Sequence, residues 1–277
     1  MSGDLSASDV NCDYASFSSS PSIGLQPERY IYQIKVILVG DSNVGKTSLL
    51  KQYSTNKFSP DYKASINAEF EKKNVSFNPT VGAELTIWDT CGSEKYRSIT
   101  KQYYKDSHGV LLLFDLTDRG SFDNLTDWVN DLKNNCDEYI TIIIVGNKND
   151  MEDKRQVSQN EIDDYVKKNN FEYFSVSAKT GASVGILFEK IAHMCVDKMI
   201  EYEKQEKEKE NNKQEPETVV NDNNTKTTTT TTTANTSNMK KMNISKKKEK
   251  VGGPFTGEVT FKEKLKEESK DKHVGCC

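Results

Sequence analysis

The sequence predicts an α/β domain: a mostly parallel six-stranded sheet with one antiparallel edge strand and helices on both faces. Three observations carry this. Apolar runs alternate with amphipathic stretches across residues 31–203: "YIYQIKVILVG", "AELTIWD", "GVLLLFDLT", "YITIIIVGN" and "FEYFSVS" against "SFDNLTDWVNDLKNN" and "QNEIDDYVKKNN". Strands that alternate with helices build a parallel sheet covered on both faces. Between the first strand and "AELTIWD" lies "AEFEKKNVSFNPTVG", whose "NPTVG" reads as a hairpin turn, which makes its strand the antiparallel edge. Outside this zone no hydrophobic period is sustained.

Taken in order, residues 1–30 are rich in Ser, Gly, Pro and Asp and read as a disordered arm. The folded domain spans 31–203. Its last helix begins near Ala182, where Val184, Leu187, Phe188, Ile191 and Cys195 recur at helical spacing. That helix runs out into "EYEKQEKEKENN", which has no apolar face. Residues 204–277 read as a disordered tail, with "TKTTTTTTTANTSN" followed by lysine-rich stretches.

Composition agrees. Of 277 residues, 34% are hydrophobic and 29% charged, which suits one domain plus a large solvated fraction. Mean hydropathy is −0.74, low for a compact globule. The net charge of −4 hides an asymmetry: from Lys240 onward eleven Lys face six acids, so the last 38 residues carry +5 and the rest −9. A basic end on an acidic body suits an anionic membrane surface and not a nucleic acid. The six cysteines show no paired framework and no C-x-x-C spacing, as expected of a reducing compartment. The start "MSGDLSASDV" has neither the cationic nor the apolar part of a secretory signal, and Ser2 excludes N-myristoylation. The longest apolar runs are too short to cross a bilayer.

Four patches carry chemistry. "GDSNVGKTS" spans Gly40, Asp41, Ser42, Asn43, Val44, Gly45, Lys46, Thr47 and Ser48. It fits G-x-x-x-x-G-K-[ST], follows an apolar strand and opens a helix, the context that makes the motif credible. Its backbone N–H groups would cradle phosphates, Lys46 would reach the β- and γ-phosphates, and the Thr47 hydroxyl would ligate Mg²⁺. "WDTCGSE" offers Asp89 to the Mg²⁺ shell and the Gly92 amide to the γ-phosphate. "NKND" places Asn147, Lys148 and Asp150 at the end of an apolar strand, where open α/β sheets bind ligands. The Asp150 carboxylate accepts only, so it can take two donors of guanine, whereas adenine offers an acceptor there. "SAK" supplies Ser177, Ala178 and Lys179, with a backbone N–H, that of Ala178, toward guanine O6.

The ordered set resembles the Ras-like small GTPases over residues 31–200. "YKASINAEF", "KYRSIT", "YYKDS" and "GVLLLFDLT" make it similar to the Rab branch. The resemblance implies GTP/GDP and Mg²⁺ as ligands, with Thr47, Ser65 and Asp89 on the metal and Phe58 edge-on to the base. It implies an effector surface of Ile66, Phe70, Trp88 and Tyr103. By residue type alone, Phe70 and Trp88 could equally pack a strand pair. It implies exchange factors, GTPase-activating proteins, effectors, and prenyl-escort and dissociation-inhibitor proteins as partners of a monomer. The protein would regulate vesicle and membrane traffic, cycling between cytosol and the cytoplasmic face of intracellular membranes.

The end "HVGCC" fits the same branch: Cys276 and Cys277 would each carry a geranylgeranyl group, and Val274 stands where a C-a-a-X box needs Cys. Two chains hold a membrane firmly where one does not. A flexible tail of that length would reach on the order of 45 Å. "KKMNISKKKEK" is open between a lipid-facing patch and a solvated charge run.

Three positions depart from the family. Ser93 stands where most members have the Gln that orients the attacking water, and follows Cys91 instead of Ala; Ser65 replaces the switch Thr; Asn67 replaces a Gly. Lys46 and Gly92 keep the phosphate groups of the catalytic set, while Ser93 is its degenerate member. A GTP-binding switch with slow intrinsic hydrolysis is therefore expected, the alternative being a lipid-anchored GTP-bound scaffold with little or no hydrolysis. An ATP-using P-loop kinase is opposed by Asn147, Lys148 and Asp150.

Overall fold

The computed structural model describes residues 28–60, 69–90, 102–211 and 242–250. The elements run β1 (Glu28–Val39), α1 (Lys46–Thr55), β2 (Glu69–Asn78), β3 (Val81–Asp89), β4 (Gly109–Asp115), α2 (Arg119–Asp123), α3 (Leu125–Asn135), β5 (Thr141–Asn147), α4 (Gln159–Asn169), β6 (Glu172–Ser175), α5 (Val184–Asn211) and β7 (Lys246–Lys250). The sheet order is β2-β3-β1-β4-β5-β6. β1 pairs in parallel with β3 on one side and β4 on the other, β5 and β6 continue the parallel run, and β2 lies antiparallel on β3 at the edge, as the hairpin signal requires. The turn is closed by Asn78, whose Oδ1 accepts from the amides of Thr80 and Val81 at 2.9 and 2.8 Å.

The period of two sorts the side chains of the central strands between two cores. In β1, Tyr32, Ile34, Val36 and Leu38 join one core with Leu49 of α1 and Leu187, Phe188 and Ile191 of α5. Ile37 and Val39 join the other with Trp128 and Leu132 of α3 and Ile162 of α4. β4 and β5 divide the same way, and every residue of both is buried. Each large side chain so placed contributes about 1.5–3 kcal/mol relative to exposure. Burial pushes the thiols of Cys136 and Cys195 up to about 12, so neither is a nucleophile near neutral pH. Among the described residues no helix is long and apolar enough to cross a membrane.

The structure differs from the sequence reading at the domain's borders. β1 starts at Glu28, inside the expected arm. α5 continues past residue 203 to Asn211, carried by helix-spaced polar pairs such as Gln205–Glu201 and Lys209–Glu206. Residues 246–250, expected in the tail, form a seventh strand antiparallel to β1. The physical reason is an open edge. β4 first pairs with β1 at Val36↔Gly109, so that side of Glu28–Tyr32 is not covered by β4. Met242 and Ile244 pack against the first core and bring the lysine run onto that edge.

Candidate nucleotide-binding site

The site forms at the C-terminal ends of β1, β3, β5 and β6, where the order reverses around β1 and an open sheet leaves a crevice. The loop after β1 turns on Gly40 at φ 137° and Gly45 at φ 96°. A Cβ at Gly40 would stand 2.2 Å from Leu113 O, and one at Gly45 2.3 Å from Asn147 Nδ2, so only glycine fits either place. Asn43 takes a left-handed φ of 65°, which Asn tolerates. Lys46 is only 6% exposed, and its Nζ donates to Gly40 O at 2.9 Å and Asp41 O at 2.7 Å. The loop's own carbonyls thus hold a buried cation above it. α1 starts with no side-chain cap and no acid in its first turn. A helix leaves its first N–H groups without intrahelical partners, and its positive end favours an anion there.

Thr47 Oγ1 donates to Asp89 Oδ2 at 2.5 Å, so the end of β3 meets the start of α1. A hydroxyl and a carboxylate are the hard oxygen donors that Mg²⁺ takes. Among the described residues no group of three or more His, Cys, Asp or Glu is gathered for a metal. Mg²⁺ is commonly bound through one or two side chains plus substrate phosphates, which a hydroxyl and carboxylate pair would suit.

The base side is built on Asn147, which is fully buried. Its Nδ2 donates to Val44 O at 2.8 Å and its Oδ1 accepts from Ala178 N at 3.0 Å. One side chain therefore ties the phosphate loop to the "SAK" loop. The Ala178 amide expected to meet guanine O6 already donates to Asn147, so a base oxygen there would share its hydrogen. Asp150, with a side chain 13% exposed, accepts from Ser177 Oγ at 2.7 Å and lies 3.7 Å from Lys179 Nζ. Lys148, at a left-handed φ of 65°, pairs with Asp115 Oδ2 at 2.5 Å. Phe58 stands exposed after α1.

Some supporting residues were not read from the sequence. The Asp41 carboxylate accepts from Asn124 Nδ2 and Trp128 Nε1, both at 2.7 Å. It pins the loop to α3. Asp115, besides pairing with Lys148, accepts from the amide and hydroxyl of Thr117. An Asp closing the all-apolar run "GVLLLFD" was the available signal. Asn124 and Trp128 gave a weaker one, two polar heads four residues apart on one helix face.

On β2 and β3, Phe70 lies directly opposite Trp88, with ring centroids 4.9 Å apart; Trp88 lies 5.4 Å from Tyr103. The three rings form one row, and Phe70 is 52% exposed at its end. Of the other expected positions, Ser65, Ile66, Gly92, Ser93, Cys276 and Cys277 lie outside the described residues.

A model of the Ras family matches residues 35–197. The Ras-related protein Rab-1 of Theileria parva is 36% identical over 176 residues, 63% of this chain and 80% of that protein. The Ras-related protein Rab-2B of Dictyostelium discoideum is 38% identical over 172 residues, 61% of this chain and 84% of that protein. The GTP-binding protein ypt3 of Schizosaccharomyces pombe is 37% identical over 167 residues, covering 60% and 77%. With the phosphate loop, the Thr47–Asp89 contact and the Asn147 bridge on one scaffold, the chain belongs to the Ras family of small GTPases, in its Rab branch.

Proposed function

We propose that this chain is a Rab-type molecular switch that binds GTP or GDP with Mg²⁺, engages effectors in its GTP state and regulates intracellular vesicle traffic. The observation that carries the reading is the Asn147 bridge, which sets a phosphate loop and a base loop at one distance from each other. Lys46 and the residues Gly40–Ser48 take the phosphates, Thr47, Asp89 and Ser65 the metal, and Asn147, Lys148, Asp150 and the Ser177–Lys179 loop the guanine. Bound Mg²⁺ supplies charge neutralisation at the phosphates. Lys46 adds the same effect from the protein side. The Phe70–Trp88–Tyr103 patch, with Ile66, supports an effector surface: exposed aromatic clusters are what partners grip. Exchange factors and GTPase-activating proteins would control the cycle.

Ser93 favours slow intrinsic turnover, since its side chain is too short to orient water as Gln does. Ser93→Gln is expected to raise the single-turnover rate by roughly tenfold or more, about 1.4 kcal/mol of barrier per factor of ten. A suitable activating protein should accelerate the wild type, because an inserted Gln can replace the missing amide. An unchanged rate in Ser93→Gln would refute this account of the position. Failure of every activator would favour the second reading, a lipid-anchored scaffold that holds GTP and seldom hydrolyses it.

Cys276 and Cys277 would anchor the chain through two geranylgeranyl groups, with prenyl-escort and dissociation-inhibitor proteins as partners. The intact mass of the native protein is expected to show two prenyl additions. Substituting both cysteines by Ser should move the protein from membranes to the soluble fraction while nucleotide binding persists. An unmodified native C-terminus would end this reading of the tail.

A further inference from the structure

β7 is attached by contacts of an exposed kind. It is five residues long and, among the described residues, pairs only with β1, from Tyr32↔Lys246 to Glu28↔Lys250. Its approach is fixed by two contacts to its carbonyls: Gln33 N donates to Ser245 O at 2.8 Å, and His108 Nε2 lies 2.8 Å from Asn243 O. His108 Nδ1 accepts from Lys35 N, so the tautomer with its hydrogen on Nε2 satisfies both.

Three lysines of the strand face acids of the domain. Lys246 pairs with Glu203 at 2.7 Å, Lys247 with Glu84 at 3.6 Å and Lys248 with Glu28 at 2.9 Å. The Lys246 ammonium also lies 5.7 and 5.6 Å from the ring centres of Tyr30 and Tyr32. The side chains of Lys247 and Lys248 remain more than half exposed, and exposed pairs of this kind contribute little. The firmer part of the attachment is apolar and small: Met242 and Ile244, both only partly buried against the first core.

We propose that Met242–Lys250 is a detachable strand: it lies either on the edge of β1 or, released, on an anionic lipid surface through the same lysines. The two states exclude each other. Docked, Lys246, Lys247 and Lys248 sit beside Glu28, Glu84 and Glu203, acids that an anionic surface repels. Released, the stretch Lys240–Lys250 holds six lysines and one acid, and each lysine near such a surface adds to binding. Chain length does not oppose release, since about 30 residues separate Asn211 from Met242. The inference deepens the proposed membrane role, but its test uses unprenylated full-length chain, so a missing prenyl group or slow hydrolysis leaves the outcome untouched.

Two measurements test it: hydrogen exchange of peptides covering 242–250, and co-sedimentation with vesicles of phosphatidylserine and phosphatidylcholine, against phosphatidylcholine alone. In the wild type the strand amides should be protected in solution and lose protection on the phosphatidylserine vesicles. Met242→Ser with Ile244→Ser keeps every lysine but removes the apolar hold. It should lose strand protection and bind the anionic vesicles on the order of tenfold more tightly, one or two lysines' worth. Adding Lys246→Gln, Lys247→Gln and Lys248→Gln should abolish that gain. Retained nucleotide binding shows that each variant is folded. Unprotected amides in the wild type, protection that survives vesicle binding, or a double variant that binds no better would each overturn the proposal.

Discussion

Asp150→Asn is expected to weaken GTP binding by about 30-fold to 1,000-fold, on the order of 2–4 kcal/mol. The carboxylate accepts from Ser177 Oγ at 2.7 Å, which fixes its orientation at the mouth of the base site. An amide keeps the shape and can still accept from Ser177, but it puts a donor where guanine presents donors. The variant should in turn admit xanthine nucleotides, whose extra carbonyl matches the new N–H. Competition of GTP, XTP and ATP against a labelled GDP measures all three. Wild-type protein that binds ATP as tightly as GTP would end the guanine reading.

Asn147→Ala should cost the fold itself about 2–6 kcal/mol. It leaves the carbonyl of Val44 and the amide of Ala178 buried without this partner, at about 1–3 kcal/mol each. In a domain of this size that is a fall in Tm on the order of 10 °C. Nucleotide affinity should fall as well, because the two loops lose their common tie. Thermal melting with and without added GDP separates the effects. A variant that melts like the wild type would show that the tie is redundant.

Much of this site could be read directly from the chain, and the reason is local. Gly40, Gly45, Lys46, Asp89, Asn147, Asp150 and Ser177 lie at strand ends or helix starts, so spacing within a few residues fixes their places. The hairpin and the buried parallel strands were legible because the period of two and the "NPTVG" turn are local too. What was not legible spans long separations. Asp41 meets Trp128 across 87 positions, and nothing near either residue announces the contact. β7 was missed because "KKKEK" has poor strand propensity and reads as solvated charge. Its strand state is imposed by the edge of β1. The one local hint was "MNIS", where apolar Met242 and Ile244 alternate with polar Asn243 and Ser245.

That seventh strand also covers the part of β1 that β4 leaves open. A row of unpaired backbone groups at a sheet edge is a template for another chain, and lysines on the outermost strand are a common guard against such pairing. Here the guard comes from a segment far along the sequence. A protein cut after Asn211 would retain every described residue of the nucleotide site, yet bare the backbone of Glu28–Tyr32, a stretch carrying Tyr30, Ile31 and Tyr32. Such a fragment trades a cationic border for a sticky one.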